Sequence, residues 1–168
     1  MRHRLLCLAL VALALPACAE RPSAAPRIGE PAPDFESVSL NGESLSLAEL
    51  RGQPVLLNLW ATWCGPCRIE TPFLQAIYEE HRERGLRVVG VTVDGAGSIR
   101  QIHSFLDEFG VTYDILHDAR MESMDTFSVW GLPVTYLIDR EGRFRFIRLG
   151  PIDEDDADFH AALEDILS

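Results

Sequence analysis

Apolar residues recur along this chain with two different periods, and the two periods separate predicted strands from predicted helices. Near-continuous apolar runs at 55–60 (VLLNLW) and 86–93 (LRVVGVTV) predict two central strands that are covered on both faces. Apolar positions spaced by three and four residues predict helices over 66–84, 98–109, 120–127 and 153–167. Shorter extended segments are expected at 35–40, 44–47, 113–116, 134–138 and 143–149.

Glycine, proline and serine set the predicted ends and turns of these elements. Asn41-Gly42 and the segment 139–142 are each expected to turn an antiparallel hairpin. We expect Pro72 to kink the first helix, Ser98 to cap the second and Gly110 to end it. The combination predicts an α/β fold, in which a mixed sheet with an N-terminal β-hairpin is flanked by helices on both faces.

The first residues are predicted to be a secretory signal peptide and not part of the fold. Two arginines precede an apolar run at 5–15, which suits the hydrophobic region of a signal peptide and is too short to span a bilayer permanently. The segment 15–18 (LPAC) resembles a bacterial lipobox, in which Cys18 would carry the lipid, whereas cleavage after Ala19 would remove Cys18 and release a soluble protein. We therefore expect a signal peptide at 1–19, a proline-rich linker at 20–33 and one domain at 34–168.

Length and charge limit the classes of function to be considered. A chain of 168 residues can bury one core of ordinary size without disulfide staples or a structural metal. Its formal net charge of −11 argues against binding to nucleic acid, because phosphates require a basic surface. No residue pattern indicates a bound cofactor or metal, so none is expected.

The four cysteines divide between the predicted leader and the predicted domain. Cys7 leaves with the signal peptide, and Cys18 is either lipidated or lost. Cys64 and Cys67 are then the thiols of the folded domain. One close pair in an exported domain indicates a single redox site rather than a framework of disulfides.

The motif Cys64-Gly65-Pro66-Cys67 has several possible meanings, and its neighbours decide among them. Haem attachment needs a histidine next, where this chain has Arg68, and a zinc site needs a second ligand pair that the mature chain lacks. A structural disulfide closing so small a ring would constrain almost nothing of the unfolded chain. Redox catalysis remains, and it is typical of a thiol pair between a buried strand and a helix start.

The predicted position at a helix start assigns different roles to the two thiols. Free amide hydrogens and the positive end of the helix dipole stabilise a thiolate on Cys64, which we expect to be the exposed nucleophile. Cys67, one turn into the helix, should be more buried and should resolve the mixed disulfide. Glu70 lies on the same helix face and is a candidate base for Cys67, although the spacing fits a solvated carboxylate equally well.

Four segments share a combined pattern, namely 28–35 (IGEPAPDF), 47–52 (LAELRG), 58–67 (NLWATWCGPC) and 131–139 (GLPVTYLID). Together they resemble the TlpA/ResA-like branch of the thioredoxin superfamily, over nearly the whole predicted domain. The resemblance implies a thioredoxin-like fold and a thiol–disulfide oxidoreductase activity.

The resemblance also implies roles for particular residues. Pro133 is expected to be a cis proline that faces the disulfide, with the backbone of Leu132 exposed to pair with a substrate peptide. Trp63, Gly65 and Pro66 are expected to complete the substrate-binding surface. Thioredoxins proper have a buried aspartate where this chain has Asn58, and in the ResA-like branch the carboxylate that takes the proton is the one matched by Glu70.

These observations favour a protein-disulfide reductase outside the cytoplasm. Gly-Pro between the cysteines resembles the reducing thioredoxin pair rather than the oxidising DsbA type. The resemblance implies a membrane electron donor of the DsbD/CcdA kind. It also implies clients whose cysteines will hold haem, in cytochrome c maturation, or copper, in an oxidase assembly protein. A lipid on Cys18 would add the membrane itself as a partner.

Two alternatives stay open. One is a Cu(I) metallochaperone that uses the thiol pair with His117, Met121 and Met124 as further ligands, although packing accounts for the methionines. The other is a peroxidase, because peroxiredoxins share this fold and the proline-rich segment that opens the domain. Their Thr-x-x-Cys spacing differs from Thr62-Trp63-Cys64 in this chain.

Overall fold

The computed structural model describes residues 25–168. Within this range the strands are β1 (Glu36–Ser39), β2 (Ser44–Ser46), β3 (Val55–Trp60), β4 (Arg87–Thr92), β5 (Asp114–His117), β6 (Val134–Ile138) and β7 (Phe144–Leu149). The α-helices are α1 (Gly65–His81), α2 (Ile99–Phe109), α3 (Glu122–Thr126) and α4 (Ala157–Leu167). The strands form one sheet in the order β2-β1-β5-β4-β3-β6-β7.

The sheet is mixed, as predicted. Strand β4 pairs in parallel with β3 and β5, while the hairpins β1–β2 and β6–β7 and the pair β3–β6 are antiparallel. The register joins Trp60 to Thr92 and Leu59 to Val134. The end of β3, the end of β4 and the start of β6 therefore meet at one edge of the sheet, and this edge carries the thiol motif.

Strand β3 is buried along its whole length, and its side chains alternate between two cores. Leu56 and Trp60 point into a core that includes apolar residues of α1, α2 and α4. Leu57 and Leu59 point into a second core on the other face, together with Phe127 and residues of the N-terminal segment. Asn58 lies between Leu56 and Trp60 in this alternation, so it faces α1.

The observed ends of the helices agree with some of the predicted ends and correct others. Helix α1 begins at Gly65 and continues without a break through Pro72 to His81. Gly110 ends α2 with left-handed backbone, as predicted, but the Ser98 side chain makes no capping hydrogen bond. The start predicted for α4 at residue 153 is wrong: the helix begins at Ala157, because the Asp156 side chain accepts the Phe159 N–H and caps it there.

The predicted signal peptide at 1–19 and Cys18 lie outside the described residues, so their assignment stays a prediction. The predicted linker is described from residue 25 onwards. Within it, Gly29 and Ala32 donate backbone hydrogen bonds to the carbonyls of Phe144 and Gly142, each at 2.8 Å. Contacts with the domain thus begin before residue 34. Between residues 25 and 168, no helix has both the length and the apolar composition to cross a membrane.

Candidate active site

Cys64 and Cys67 form a disulfide where β3 leads into α1. Cys64 is the N-cap residue of α1, and the backbone N–H of Cys67 donates to Cys64 Sγ at 3.2 Å. Pro66 stands in the first turn, where its missing N–H leaves no helical hydrogen bond unmade. The first turn carries no acidic side chain. The amide hydrogens and the dipole of α1 therefore act on Cys64 without an opposing charge from this turn.

The burial of the two cysteines corrects one expectation. Cys67 is fully buried, as predicted, but Cys64 exposes only 5% of its surface, so the prediction of an exposed Cys64 is wrong for the disulfide form. The neighbouring Trp63, Gly65 and Pro66 are exposed. These three residues are therefore the exposed part of the motif, on either side of the buried Cys64 in sequence.

Glu70 lies one helical turn beyond Cys67 and is 1% exposed. The Asn58 side-chain amide donates to Glu70 Oε1 at 2.9 Å, and the Ile152 N–H donates to Oε2 at 3.1 Å. The same Asn58 amide also donates to Thr135 Oγ1 on β6 at 3.0 Å. The solvated carboxylate that spacing alone allowed is excluded, because Glu70 is buried and each of its two carboxylate oxygens accepts a hydrogen bond inside the domain.

Burial changes the protonation of this carboxylate. Loss of solvent raises the pKa of Glu70 to about 7, and the hydrogen bonds from Asn58 and Ile152 only partly oppose the rise. Burial, with a smaller contribution from the Glu70 charge, raises the pKa of Tyr113 as well. Glu70 can therefore gain or lose a proton close to neutral pH, which is the property needed in a proton acceptor beside a thiol.

The Leu132–Pro133 peptide bond is cis, as the family resemblance implied. Pro133 is buried and Leu132 is half-buried. The next residue, Val134, pairs with Leu59 on β3, which places the cis bond at the sheet edge from which α1 starts. The Gly150 N–H donates a hydrogen bond to the Pro133 carbonyl oxygen at 2.9 Å.

Large apolar side chains are exposed on segments close to the disulfide in sequence and topology. Trp63 is 67% exposed immediately before Cys64, and Trp130 is 96% exposed three residues before Pro133. Ile69 is also largely exposed on α1. Trp60, in contrast, is buried against Phe105. Exposed aromatic residues of this kind are enriched where one protein binds another.

The residues proposed for copper have other roles in the fold. His117 Nε2 donates to the backbone carbonyl of Asp94 at 2.8 Å. Met124 packs against both cores, and Met121 stands at the start of α3 with left-handed backbone. Across residues 25–168, no group of three or more His, Cys, Asp and Glu side chains is arranged to hold a metal ion.

Sequence reasoning did not identify the Ile152 backbone as a partner of Glu70, or Thr135 as a partner of Asn58. A threonine at a fully buried position of an apolar strand was the available signal for Thr135. The Ile152 N–H carried no signal, because a backbone donor 82 residues away in the chain becomes visible only in the folded protein.

Comparison with known proteins agrees with this geometry. Residues 28–147 match the model of the AhpC/TSA family. The thiol–disulfide oxidoreductase ResA of Oceanobacillus iheyensis is 35% identical over 130 residues, which are 75% of this chain and 67% of that protein. The thioredoxin-like protein YneN of Bacillus subtilis is 39% identical over 123 residues, covering 73% of this chain and 71% of YneN.

The chain belongs to the AhpC/TSA family, among its ResA-like thiol–disulfide oxidoreductases. A crystal structure of a proposed thiol:disulfide interchange protein DsbE from Chlorobium tepidum superposes with a TM-score of 0.78 at 26% identity, over 86% of this chain and 100% of that one. A thioredoxin-family thiol:disulfide interchange protein from Chlorobium tepidum TLS gives a TM-score of 0.70 at 27% identity, with the same coverage. The predicted fold and enzyme class of this ResA-like oxidoreductase are thereby confirmed.

Proposed function

We propose that this ResA-like protein is a reductase of protein disulfides that works outside the cytoplasm. The observation that supports it most is the pairing of the Cys64–Cys67 disulfide with a buried Glu70, one helical turn away, that titrates near neutral pH. A thiol pair at a helix start provides the nucleophile, and a carboxylate of this kind provides the base for the second thiol.

The proposed reaction begins with the reduced protein. The Cys64 thiolate attacks one sulfur of a client disulfide, a mixed disulfide forms, and the other client sulfur leaves as a thiolate. Glu70 takes the proton of Cys67, and the Cys67 thiolate then attacks Cys64 Sγ. The second client thiolate departs, so two electrons have moved from this protein to the client. The protein is left with the Cys64–Cys67 disulfide.

The exposed surface supports a protein as the client. Trp63, Gly65 and Pro66 border the disulfide, and Leu132 precedes the cis bond at the same sheet edge. We propose that an extended client segment lies between these two regions, with the Leu132 backbone as its pairing partner. Side chains at Trp63 and Trp130 supply apolar contact area at low conformational cost.

The proposal also concerns the direction of electron transfer and the place where the protein works. Gly-Pro between the cysteines matches the thioredoxin pair, whose potential is about −270 mV, rather than DsbA at about −120 mV. A reductase outside the cytoplasm needs electrons, for which we propose a membrane donor of the DsbD/CcdA kind. Haem-site cysteines of apocytochrome c or copper-site cysteines of an oxidase assembly protein are the proposed clients. We propose that the predicted signal peptide exports the protein and is then removed, and that a lipid on Cys18 would hold the mature protein at the membrane.

The direction is tested by equilibrating the protein with mixtures of oxidised and reduced glutathione or dithiothreitol and measuring the fraction of free Cys64 and Cys67. We expect a potential well below about −200 mV. A value above about −180 mV would place the protein with oxidants or isomerases instead. Wild-type protein whose cysteines have been alkylated beforehand cannot exchange and gives the background of the thiol measurement.

The two alternatives are tested directly. A Cu(I) carrier would lose copper affinity when His117 is changed to alanine, whereas we expect no change because its Nε2 is already bonded to Asp94. A peroxidase would consume hydrogen peroxide with turnover, and we expect none. The relatives ResA and YneN are a thiol–disulfide oxidoreductase and a thioredoxin-like protein, which favours the reduction of disulfides over both alternatives.

A further inference from the structure

A buried aspartate beyond the end of β4 contacts the loop that leads into the disulfide. Asp94 is 2% exposed. The Thr62 N–H donates to Asp94 Oδ2 at 2.8 Å, and the Thr62 hydroxyl donates to Oδ1 at 2.7 Å. The Thr92 hydroxyl donates to Oδ2 at 2.5 Å. One carboxylate thus binds Thr62 through both its backbone and its side chain, with Thr92 orienting the group.

Thr62 belongs to the turn that ends at the reactive cysteine. The Cys64 N–H donates to the Ala61 carbonyl at 3.1 Å, which closes a four-residue turn with Thr62 and Trp63 at its centre. Cys64 then caps α1 and receives the Cys67 N–H. A displacement of this turn would therefore displace the Cys64 sulfur from the amide hydrogen that it faces.

The backbone of Asp94 is itself fixed from two sides. His117 on β5 donates its Nε2 hydrogen to the Asp94 carbonyl at 2.8 Å, since a carbonyl can only accept. The preceding Val93 N–H donates to the carbonyl of Trp60 at the end of β3 at 3.0 Å. A continuous set of hydrogen bonds therefore joins β5, the end of β4 and the turn before Cys64.

We infer that Asp94 is a positioning residue for disulfide exchange, which holds the turn at 61–64 so that Cys64 keeps its place at the start of α1. The inference rests on the proposed role of Cys64 as the attacking thiol. The stabilisation of its thiolate depends on the close approach of the Cys67 N–H and the helix end, so release of the turn lowers the fraction of reactive thiolate.

Two substitutions separate positioning from charge. Alanine at position 94 removes all three acceptor bonds. Asparagine can keep them, because its oxygen can accept from the Thr62 N–H and the Thr92 hydroxyl while its amide donates to the Thr62 hydroxyl oxygen. Asp94→Asn therefore removes the charge and retains the geometry, and it should restore what Asp94→Ala loses.

Asp118 offers a matched control for loss of stability. It is also a buried aspartate beyond the end of a strand, and it accepts the N–H groups of Glu122 at 3.0 Å and Ser123 at 2.7 Å. These bonds hold the start of α3 rather than the turn before Cys64. Asp118→Ala should therefore lower the thermal midpoint without changing the reactivity of Cys64.

The test is the rate of alkylation of Cys64 by iodoacetamide in the reduced full chain, measured between pH 5 and 9, with the modified peptide identified by mass spectrometry. We expect Asp94→Ala to slow the reaction about tenfold at pH 7 and to move its pH midpoint upward. Asp94→Asn and Asp118→Ala should stay within about twofold of the wild type. Thr62→Val, which keeps the backbone bond, should lose about threefold and serves if Asp94→Ala does not fold.

Three results would overturn the inference: a wild-type rate in Asp94→Ala, or in Thr62→Val where Asp94→Ala does not fold; an equal loss in Asp94→Asn; or an equal loss in Asp118→Ala. Failure of the proposed role of Cys64 as the attacking thiol is distinguishable, because the label would then appear first on Cys67 in the wild type. An error in the client or in the direction of electron flow leaves this measurement unchanged, since it records one thiol of the protein alone.

Discussion

Two buried carboxylates flank the thiol pair, and they differ in what their hydrogen bonds hold. Glu70 sits beyond Cys67 and accepts one bond on each oxygen, from the Asn58 amide and the Ile152 N–H. Asp94 contacts the turn that precedes Cys64 and accepts three hydrogen bonds, two of them from Thr62 in that turn. One carboxylate is thus arranged to exchange a proton near neutral pH, while the other is arranged to fix a loop.

The largest difference between the two carboxylates should appear in the resolving step. Glu70→Gln removes the proton acceptor, so we expect attack by Cys67 on a preformed mixed disulfide to slow about a hundredfold at pH 7. In the wild type the rate should rise as pH passes about 7, where Glu70 ionises. Stopped-flow kinetics with a chromogenic leaving thiol measures this step.

The control for that variant is Glu80→Gln, which removes an exposed carboxylate near the other end of α1. We expect it to leave both the rate and its pH dependence unchanged. A Glu70→Gln rate equal to the wild type would contradict the role of Glu70 as the proton acceptor.

Stability should also depend on pH through Glu70. Its folded pKa of about 7 lies above the ordinary 4.5, so the folded state holds the extra proton between these values. The resulting stabilisation is fully present below about pH 4.5 and is lost as pH rises through about 7. It amounts to about 3 kcal/mol, since each pKa unit is about 1.4 kcal/mol.

Urea denaturation of the oxidised protein at pH 5 and pH 8 measures this dependence. Compared with Glu70→Gln, which cannot titrate, the wild type should lose about 2 kcal/mol of unfolding free energy between the two pH values, because the unfolded carboxylate is already largely ionised at pH 5. If the unfolding free energies of the two proteins differed by the same amount at pH 5 and pH 8, the Glu70 carboxylate would ionise in the folded protein without an energetic penalty.

Asn58 should lower the pKa of Glu70 and should not affect the positioning of Cys64 by Asp94. Asn58→Ala removes the donor to Glu70 Oε1, which stabilises the charged carboxylate, so the pH midpoint of the resolving step should rise by about one unit. The pH dependence of Cys64 alkylation should not move. A shift in both profiles would mean that the two carboxylates are not independent.

The smallest expected effect concerns the exposed surface, which neither carboxylate forms. Trp130→Ala should raise KM for a disulfide-bonded client peptide about threefold while kcat stays near the wild-type value. Val38→Ala, an exposed apolar residue on β1, is the control and should change neither constant. A loss confined to kcat would instead place Trp130 in the chemical steps.

Sequence reasoning predicted the fold and the reactive pair because both are encoded locally. The buried run at 55–60, the helical spacing that follows it and the motif between them specify β3, α1 and the disulfide at their junction. The sheet could be predicted as mixed because its parallel strands are separated by helices and its outer pairs by short turns.

The rest of the site could not be predicted in the same way. Glu70 was a candidate from spacing, but its bonds to Asn58 and the Ile152 backbone form only after β3 and the segment after β7 have packed against α1. The bond that orients Asn58 comes from another distant segment, since its acceptor is Thr135 on β6. Asp94 lies 30 residues from Cys64 in sequence, and its bonds to Thr62 follow from the parallel pairing of β3 and β4. Hydrogen bonds between distant segments leave no periodic signal in a single sequence.

In the proposed mechanism, Cys64 attacks the client and Cys67, assisted by Glu70, releases it. The direct test is to express Cys67→Ser and Cys64→Ser in the native cell. Acid stops thiol exchange, alkylation then blocks the free thiols, and the disulfide-linked complexes are analysed. Cys67→Ser should hold a client as a mixed disulfide on Cys64, and Cys64→Ser should hold none. Capture of the client by Cys64→Ser alone would contradict the assignment of the two thiols.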